Sequence, residues 1–246
     1  MIERMYAMTD MKNEIIDNAV IDSAVSLRFE SLPDGSCAVL GFADGACFGG
    51  SLVIPNTDPD GRAVTEIAAS AFEGREIESV VIPASVRGIG KKAFAFCSEL
   101  RAVSFEEGSE LESIGNRAFC ACDRLLEITL PETLKECGEK AFAYCSHLAS
   151  IILPEGVEEL TDGIFEGCRA LNLVSVSDKT RRVGKSAFSA CVSLGSVELP
   201  ESVENVDDCA FIWCAALERV QVRNEYVKVS PYAYLESAYH YATVSM

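Results

Sequence analysis

Apolar positions along this chain recur in a fixed frame. An Ala-Phe pair, or a close relative, stands at Ala71-Phe72, Ala93-Phe94, Ala118-Phe119, Ala141-Phe142, Ile164-Phe165, Ala187-Phe188 and Ala210-Phe211, so successive phenylalanines lie 22, 25, 23, 23, 23 and 23 residues apart. Three residues after six of them comes a cysteine (Cys97, Cys122, Cys145, Cys168, Cys191, Cys214), and three further on a leucine (Leu100, Leu125, Leu148, Leu171, Leu194, Leu217). Segments such as Val103-Ser104-Phe105, Ile128-Thr129-Leu130 and Val197-Glu198-Leu199 then alternate with a period of two, which predicts short strands. Pro83, Pro131, Pro154 and Pro200 end them, since a residue without an N–H closes ladder pairing. A second apolar pair follows (Val86 and Ile89, Leu134 and Cys137, Val157 and Leu160, Val203 and Val206) and leads into the next Ala-Phe.

Each repeat reads as a closed circuit: strand, turn, a second extended or tight segment, and a brief helical turn. No 23-residue unit can bury its own apolar side, so the units must stack with like residue on like. The expected fold class is an α/β solenoid of about eight coils, with short helical or tight turns opposite the strands. The two extra residues of the longer spacing fall in Glu106 to Glu110, which is expected to bulge outward without breaking the stack.

The strings IPASVRGIGKKAFAFCSEL and LPESVENVDDCAFIWCAAL resemble the BspA-type leucine-rich repeat of bacterial and protozoan surface proteins, and the resemblance runs from about Leu52 to Val222. It implies a right-handed leucine-rich-repeat solenoid whose parallel strands form one sheet, used for adhesion or protein recognition, with no catalytic residues. FESLPDGSCAVLGFADG, expected to turn at Asp34-Gly35, is similar to the hairpin that caps such arrays. The expected organisation is a tail or helix over 1–26, a capping hairpin and first strand over 27–62, the repeat array over 63–222, and a degenerate capping repeat over 223–246 with Tyr234 in the phenylalanine column. A helix over Asp10 to Val20, capped by Thr9 or Asp10, and a frayed tail are equally weighted readings of the first segment.

The formal charge of -17 disfavours nucleic acid and membrane surfaces, and the apolar runs are too short to cross a bilayer. Glu3, Asp10 and Glu14 interrupt the stretch an export signal would need. Location therefore divides: cell surface or secreted by resemblance, cytoplasmic if Met1 is the native start. The cysteine count of 11 is odd. The favoured reading is a buried ladder of thiols, with bridges between neighbouring coils left open. Cys120-Ala-Cys122 is the only close pair and the only histidines are His147 and His240, so neither a zinc site nor any other cofactor is expected. His147 aligns with Glu99, Arg124, Ala170, Ser193 and Ala216 and reads as a surface residue; no nucleotide, metalloprotease or hydrolase motif is present, so an enzyme is not expected.

Candidate chemistry then rests on the outward columns of the strands. The partner-binding candidates are Glu127, Thr129, Ser150, Ile152, Leu173, Ser175, Glu198 and Arg219, with Ile152 and Leu173 as large apolar side chains in adjacent coils. A second column, Glu107, Glu132, Glu155, Asp178 and Glu201, puts a carboxylate on one edge of five consecutive coils. The favoured reading of that edge is solvated turn chemistry; the sharper one is a surface for a basic partner or for loosely held Ca2+. The function expected is a non-catalytic protein-binding or adhesion module, followed by a structural spacer in a larger surface protein, and distantly by a hydrolase.

Overall fold

Period-two segments bounded by proline can only become strands if a neighbour supplies the other half of each ladder, and here the neighbour is the next coil. The computed structural model describes residues 26–43 and 49–237. The chain opens with β1 (Leu27–Ser31) and β2 (Cys37–Phe42), then β3 (Gly50–Val53), β4 (Val64–Ile67), β5 (Ile77–Ile82), β6 (Gly88–Ile89), β7 (Ala102–Phe105), β8 (Ser113–Ile114) and β9 (Glu127–Ile128). It continues through β10 (Glu136–Cys137), β11 (Ser150–Ile152), β12 (Glu159–Leu160), β13 (Leu173–Ser175), β14 (Arg182–Val183), β15 (Ser196–Leu199), β16 (Asn205–Val206), β17 (Arg219–Val222) and β18 (Lys228–Val229). From β3 onward, odd and even strands line two different walls of a parallel solenoid of about eight turns.

The expectation of one sheet is therefore corrected: among the described residues the strands line two walls and divide into five sheets. The odd wall pairs β3-β5-β7-β9, then β11-β13, then β15-β17; the even wall pairs β1-β2-β4-β6-β8-β10, then β12-β14-β16-β18. The two-residue even strands were expected as extended or tight segments, because so short an element leaves little alternation to read. Their coils approach closely. A Cβ added at Gly115 would stand 2.7 Å from the amide nitrogen of Lys91, and at Gly138 2.4 Å from that of Asn116. Glycine is required there because a neighbouring backbone occupies the space a side chain would need.

The third wall also departs from expectation. Among the described residues there is no helix, so the α/β class and the helical turns give way to a solenoid of strands and turns. The reason lies in where the amides point. In the Phe94 coil, the N–H groups of Ala93, Ala95 and Cys97 donate locally to Gly90, Lys92 and Phe94, while those of Lys92, Phe94 and Phe96 leave the coil for the carbonyls of Asn116, Ala118 and Cys120 in the next. A helix would keep every amide inside the segment. The alternation is set by left-handed residues two before and two after each phenylalanine, for example Lys92 (φ 57°) and Phe96 (φ 61°), or Lys140 (φ 55°) and Tyr144 (φ 62°).

The core is a set of columns. The seven phenylalanines are fully buried, and neighbouring rings from Phe72 to Phe211 stack with centroids 5.2 to 5.9 Å apart. Phe42 closes the column edge-on at the hairpin end, 5.1 Å from Phe72, and Tyr234 extends it 5.3 Å beyond Phe211. The six ladder cysteines are buried and unbridged. Each thiol donates to the carbonyl of the phenylalanine in the preceding coil, as Cys145 Sγ does to Phe119 at 3.1 Å and Cys168 Sγ to Phe142 at 3.1 Å. Cys137 is likewise core. Cys47 and the Asp10 to Val20 segment lie outside the described residues.

The N-terminal hairpin is present: β1 and β2 are antiparallel, with Gly35 at φ 86° in the turn and Asp34 Oδ1 accepting from the Ser36 amide and hydroxyl at 3.0 and 2.6 Å. It joins the even wall through the parallel β2-β4 ladder.

Candidate recognition surfaces

Outward positions of the odd wall are set by the two-residue period, and the structure places the candidates accordingly. Ile152 and Leu173 are 62% and 57% exposed. In the β11-β13 register Ser150 faces Leu173 and Ile152 faces Ser175, so the two apolar side chains sit diagonally between small hydroxyls. Those four residues come together. Glu127 lies on β9, across an interruption of the ladder, while Glu198 and Arg219 belong to the separate β15-β17 ladder. Glu198 accepts from Arg223 at 3.1 Å, and Arg219 donates to Gln221 at 2.8 Å. Glu127 and Ser150 are half-buried; Thr129 is exposed.

Sequence reasoning missed two neighbours of this patch. Leu126, 53% exposed, extends the apolar surface one coil earlier. The expected bulge at Glu106 to Glu110 also overhangs a cavity of about 320 Å3 lined by Ser104, Phe105, Thr129 and Glu132 among others. The 25-residue spacing was its signal, since an inserted loop must stand over the adjoining coil.

The acidic edge is exposed at all five carboxylates, Glu107, Glu132, Glu155, Asp178 and Glu201. Its middle is partly neutralised, because Lys179 approaches Glu155 at 3.4 Å. Among the described residues no three His, Cys, Asp or Glu side chains gather as metal ligands. The even wall carries an open groove of about 860 Å3 whose floor is glycine backbone at Gly90, Gly115 and Gly138, with Glu66, Glu136 and Glu159 along it. Burial pushes the Glu66 carboxyl above its ordinary value. The groove was not legible because only one sheet was expected.

His147 is exposed, with Nδ1 2.7 Å from the Asp123 carbonyl oxygen. Arg182 reaches Asp162 and Asp207 at 2.6 Å each and so bridges three coils. No described helix is long and apolar enough to cross a membrane.

The comparisons with known proteins agree with this geometry. The family model of the BspA type leucine rich repeat region matches residues 65–194 and 162–245, in six copies. The chain belongs to the BspA-type leucine-rich repeat family. Among solved structures of such repeats, a leucine-rich repeat protein from Bacteroides ovatus is similar at 29% identity and a TM-score of 0.78, covering 90% of this chain and 57% of that one. A leucine rich cell surface protein from Faecalibacterium prausnitzii is 26% identical with a TM-score of 0.75, covering 81% of this chain and 54% of that one. The leucine rich repeat protein of T. pallidum is 27% identical with a TM-score of 0.59, at 82% coverage of both chains. This BspA-type chain thus spans a little over half the length of the first two. No curated protein matches it.

Proposed function

We propose that this BspA-type solenoid is a non-catalytic protein-binding or adhesion module that engages its partner on the odd-strand wall. The observation that carries the reading is the juxtaposition of Ile152 and Leu173, two large apolar side chains held more than half exposed on paired strands and rimmed by Ser150 and Ser175. Side chains left in water at fixed positions of a rigid ladder supply contact area at small ordering cost, which is the usual composition of an interface centre. Thr129 extends the surface toward the cavity under the inserted loop. The resemblance to a bacterial cell surface protein supports a location outside the cell.

A second reading, a structural spacer within a larger surface protein, is favoured by one observation: the chain covers only 54% and 57% of the two similar structures named first above. Affinity capture separates the two. The native chain and an Ile152→Lys/Leu173→Lys variant, both verified as folded by circular dichroism, are used as bait against bacterial surface and host extracts. A protein held by the native chain and lost by the variant is the expected result. Identical or empty captured sets would transfer the preference to the spacer.

A further inference from the structure

The turn-lined wall carries a feature that the recognition surface does not use. Two residues before successive phenylalanines stand Lys92, Arg117 and Lys140, three cations on three consecutive coils of a protein whose formal charge is -17. Two residues after the first and third of those phenylalanines stand Phe96 and Tyr144, which are 55% and 46% exposed and held in left-handed backbone. Between the columns lies a floor of Ala95, Cys120 and Ala121, part of a small apolar cluster separate from the main core. These elements enclose a cavity of about 220 Å3.

Its charges are unequally satisfied. Lys92 pairs with Glu73 at 3.0 Å at one end, and Lys140 pairs with Glu166 at 2.9 Å at the other. The Tyr144 hydroxyl also donates to Glu166, fixing that ring at the cavity's edge. Arg117, in the middle and exposed, lines the cavity and makes no side-chain hydrogen bond or ion pair with any described residue, its charge acting on Glu166 and Tyr144 only through space. The non-glycine left-handed positions are also costly, since such backbone disfavours side chains by about 1 kcal/mol or more each, and Gly74 and Gly167 show that glycine serves at the same column.

We infer that this cradle binds a carboxylate carried on a single ring, with the carboxylate on the Arg117 guanidinium and the ring against Phe96 and Tyr144. A planar fork of donors matches a carboxylate bidentately, and the flanking lysines, already paired with Glu73 and Glu166, leave Arg117 as the group that receives it. The exposed aromatic faces and the methyl and thiol floor take the flat apolar part of the ligand. The cavity is smaller than the 300 Å3 or so at which drug-sized sites begin, which restricts the occupant to one ring. An aromatic acid meets all of these requirements, whereas a uronic acid, with its puckered and hydroxylated ring, shares only the carboxylate.

The test is methyl NMR on the full chain with labelled alanine, titrated separately with benzoate and with glucuronate, and with benzyl alcohol and glucose as uncharged counterparts. Saturable shifts of the Ala95 and Ala121 methyls with benzoate, at concentrations up to about 10 mM, are expected, and not with benzyl alcohol. Response to benzoate and not to glucuronate is the expected pattern, and response to glucuronate alone would overturn the ring contact with Phe96 and Tyr144. Arg117→Gln should weaken binding about tenfold or more and Arg117→Lys by less, whereas Ile152→Lys/Leu173→Lys should leave it unchanged. The proposal is overturned if neither carboxylate moves these methyls, if the neutral compounds move them equally, or if folded Arg117→Gln binds as tightly as the native chain. None of those results bears on the strand-face reading, which rests on a different wall.

Discussion

The turn-lined wall and the odd-strand wall share one pitch and are built from the same coils, yet their backbones are joined differently. On the turn wall the phenylalanine amides form an unbroken column of inter-coil bonds, from Phe72 to the Ala93 carbonyl at 2.7 Å through Phe211 to Ala233 at 2.8 Å. On the odd wall the ladder is interrupted between β9 and β11 and again between β13 and β15. Behind the turn wall stand the stacked rings and the thiol-to-carbonyl bonds; in front of the odd wall stand the exposed, variable side chains. The difference teaches that cohesion and recognition are separable here. Because one wall holds the coils together, the outward residues of the other can be re-specified with little effect on folding.

The largest test of that division is Phe142→Ala. It opens a cavity in the middle of the stack, where the flanking rings lie 5.6 and 5.9 Å away, and should cost about 3–5 kcal/mol in denaturant unfolding. Leu173→Ala, on the odd wall, should change stability by no more than about 0.5 kcal/mol. Comparable losses at both sites would erase the distinction between the walls.

The repeat made much of this legible. A register of Phe, Cys and Leu columns fixes stacking because each residue meets its own kind one coil away, so the phenylalanine column, the thiol ladder, the hairpin and the outward placement of Ile152 and Leu173 could be read directly. The turn conformation could not. The spacing of Phe94, Cys97 and Leu100 suits one helical turn, and the residues that forbid a helix, such as Lys92 and Arg117, carry no glycine signal despite their positive φ. The cradle was missed for a related reason. Its signal lay in two columns never aligned, the residues two before and two after each phenylalanine, because a brief helical turn was not expected to present them as parallel rows.

The thiol ladder gives a smaller and pH-dependent effect. Burial pushes Cys97 up to about 11 and Cys137 and Cys214 to about 12, from the ordinary 9.0. A folded-state pKa above the unfolded one means that the stabilisation is complete below pH 9 and is lost as pH rises through the folded values. The melting temperature should accordingly hold between pH 7 and about 9 and fall steeply above it, less so in Cys97→Ala, as scanning calorimetry would show. At pH 8 the ladder thiols of the folded chain should resist alkylation while the half-buried Cys209 reacts. Rapid labelling of Cys145 or Cys168 would contradict their place in the core.

The smallest expected change has the opposite sign. Ala190 sits on the turn wall at φ 58°, and Ala190→Gly removes the Cβ that opposes this backbone, so it should stabilise the chain by up to about 1 kcal/mol. Destabilisation would mean that the left-handed positions are not the strained part of the wall.

Native-state hydrogen exchange, resolved to single amides, tests the division between the walls most directly. If the turn wall holds the solenoid together, the amides of Phe94, Phe119, Phe142, Phe165 and Phe188 should exchange only through unfolding of the whole array, while odd-wall amides of β9, β11, β13 and β15 open at lower free energy. Equal protection on both walls, or faster exchange along the phenylalanine column, would contradict the account.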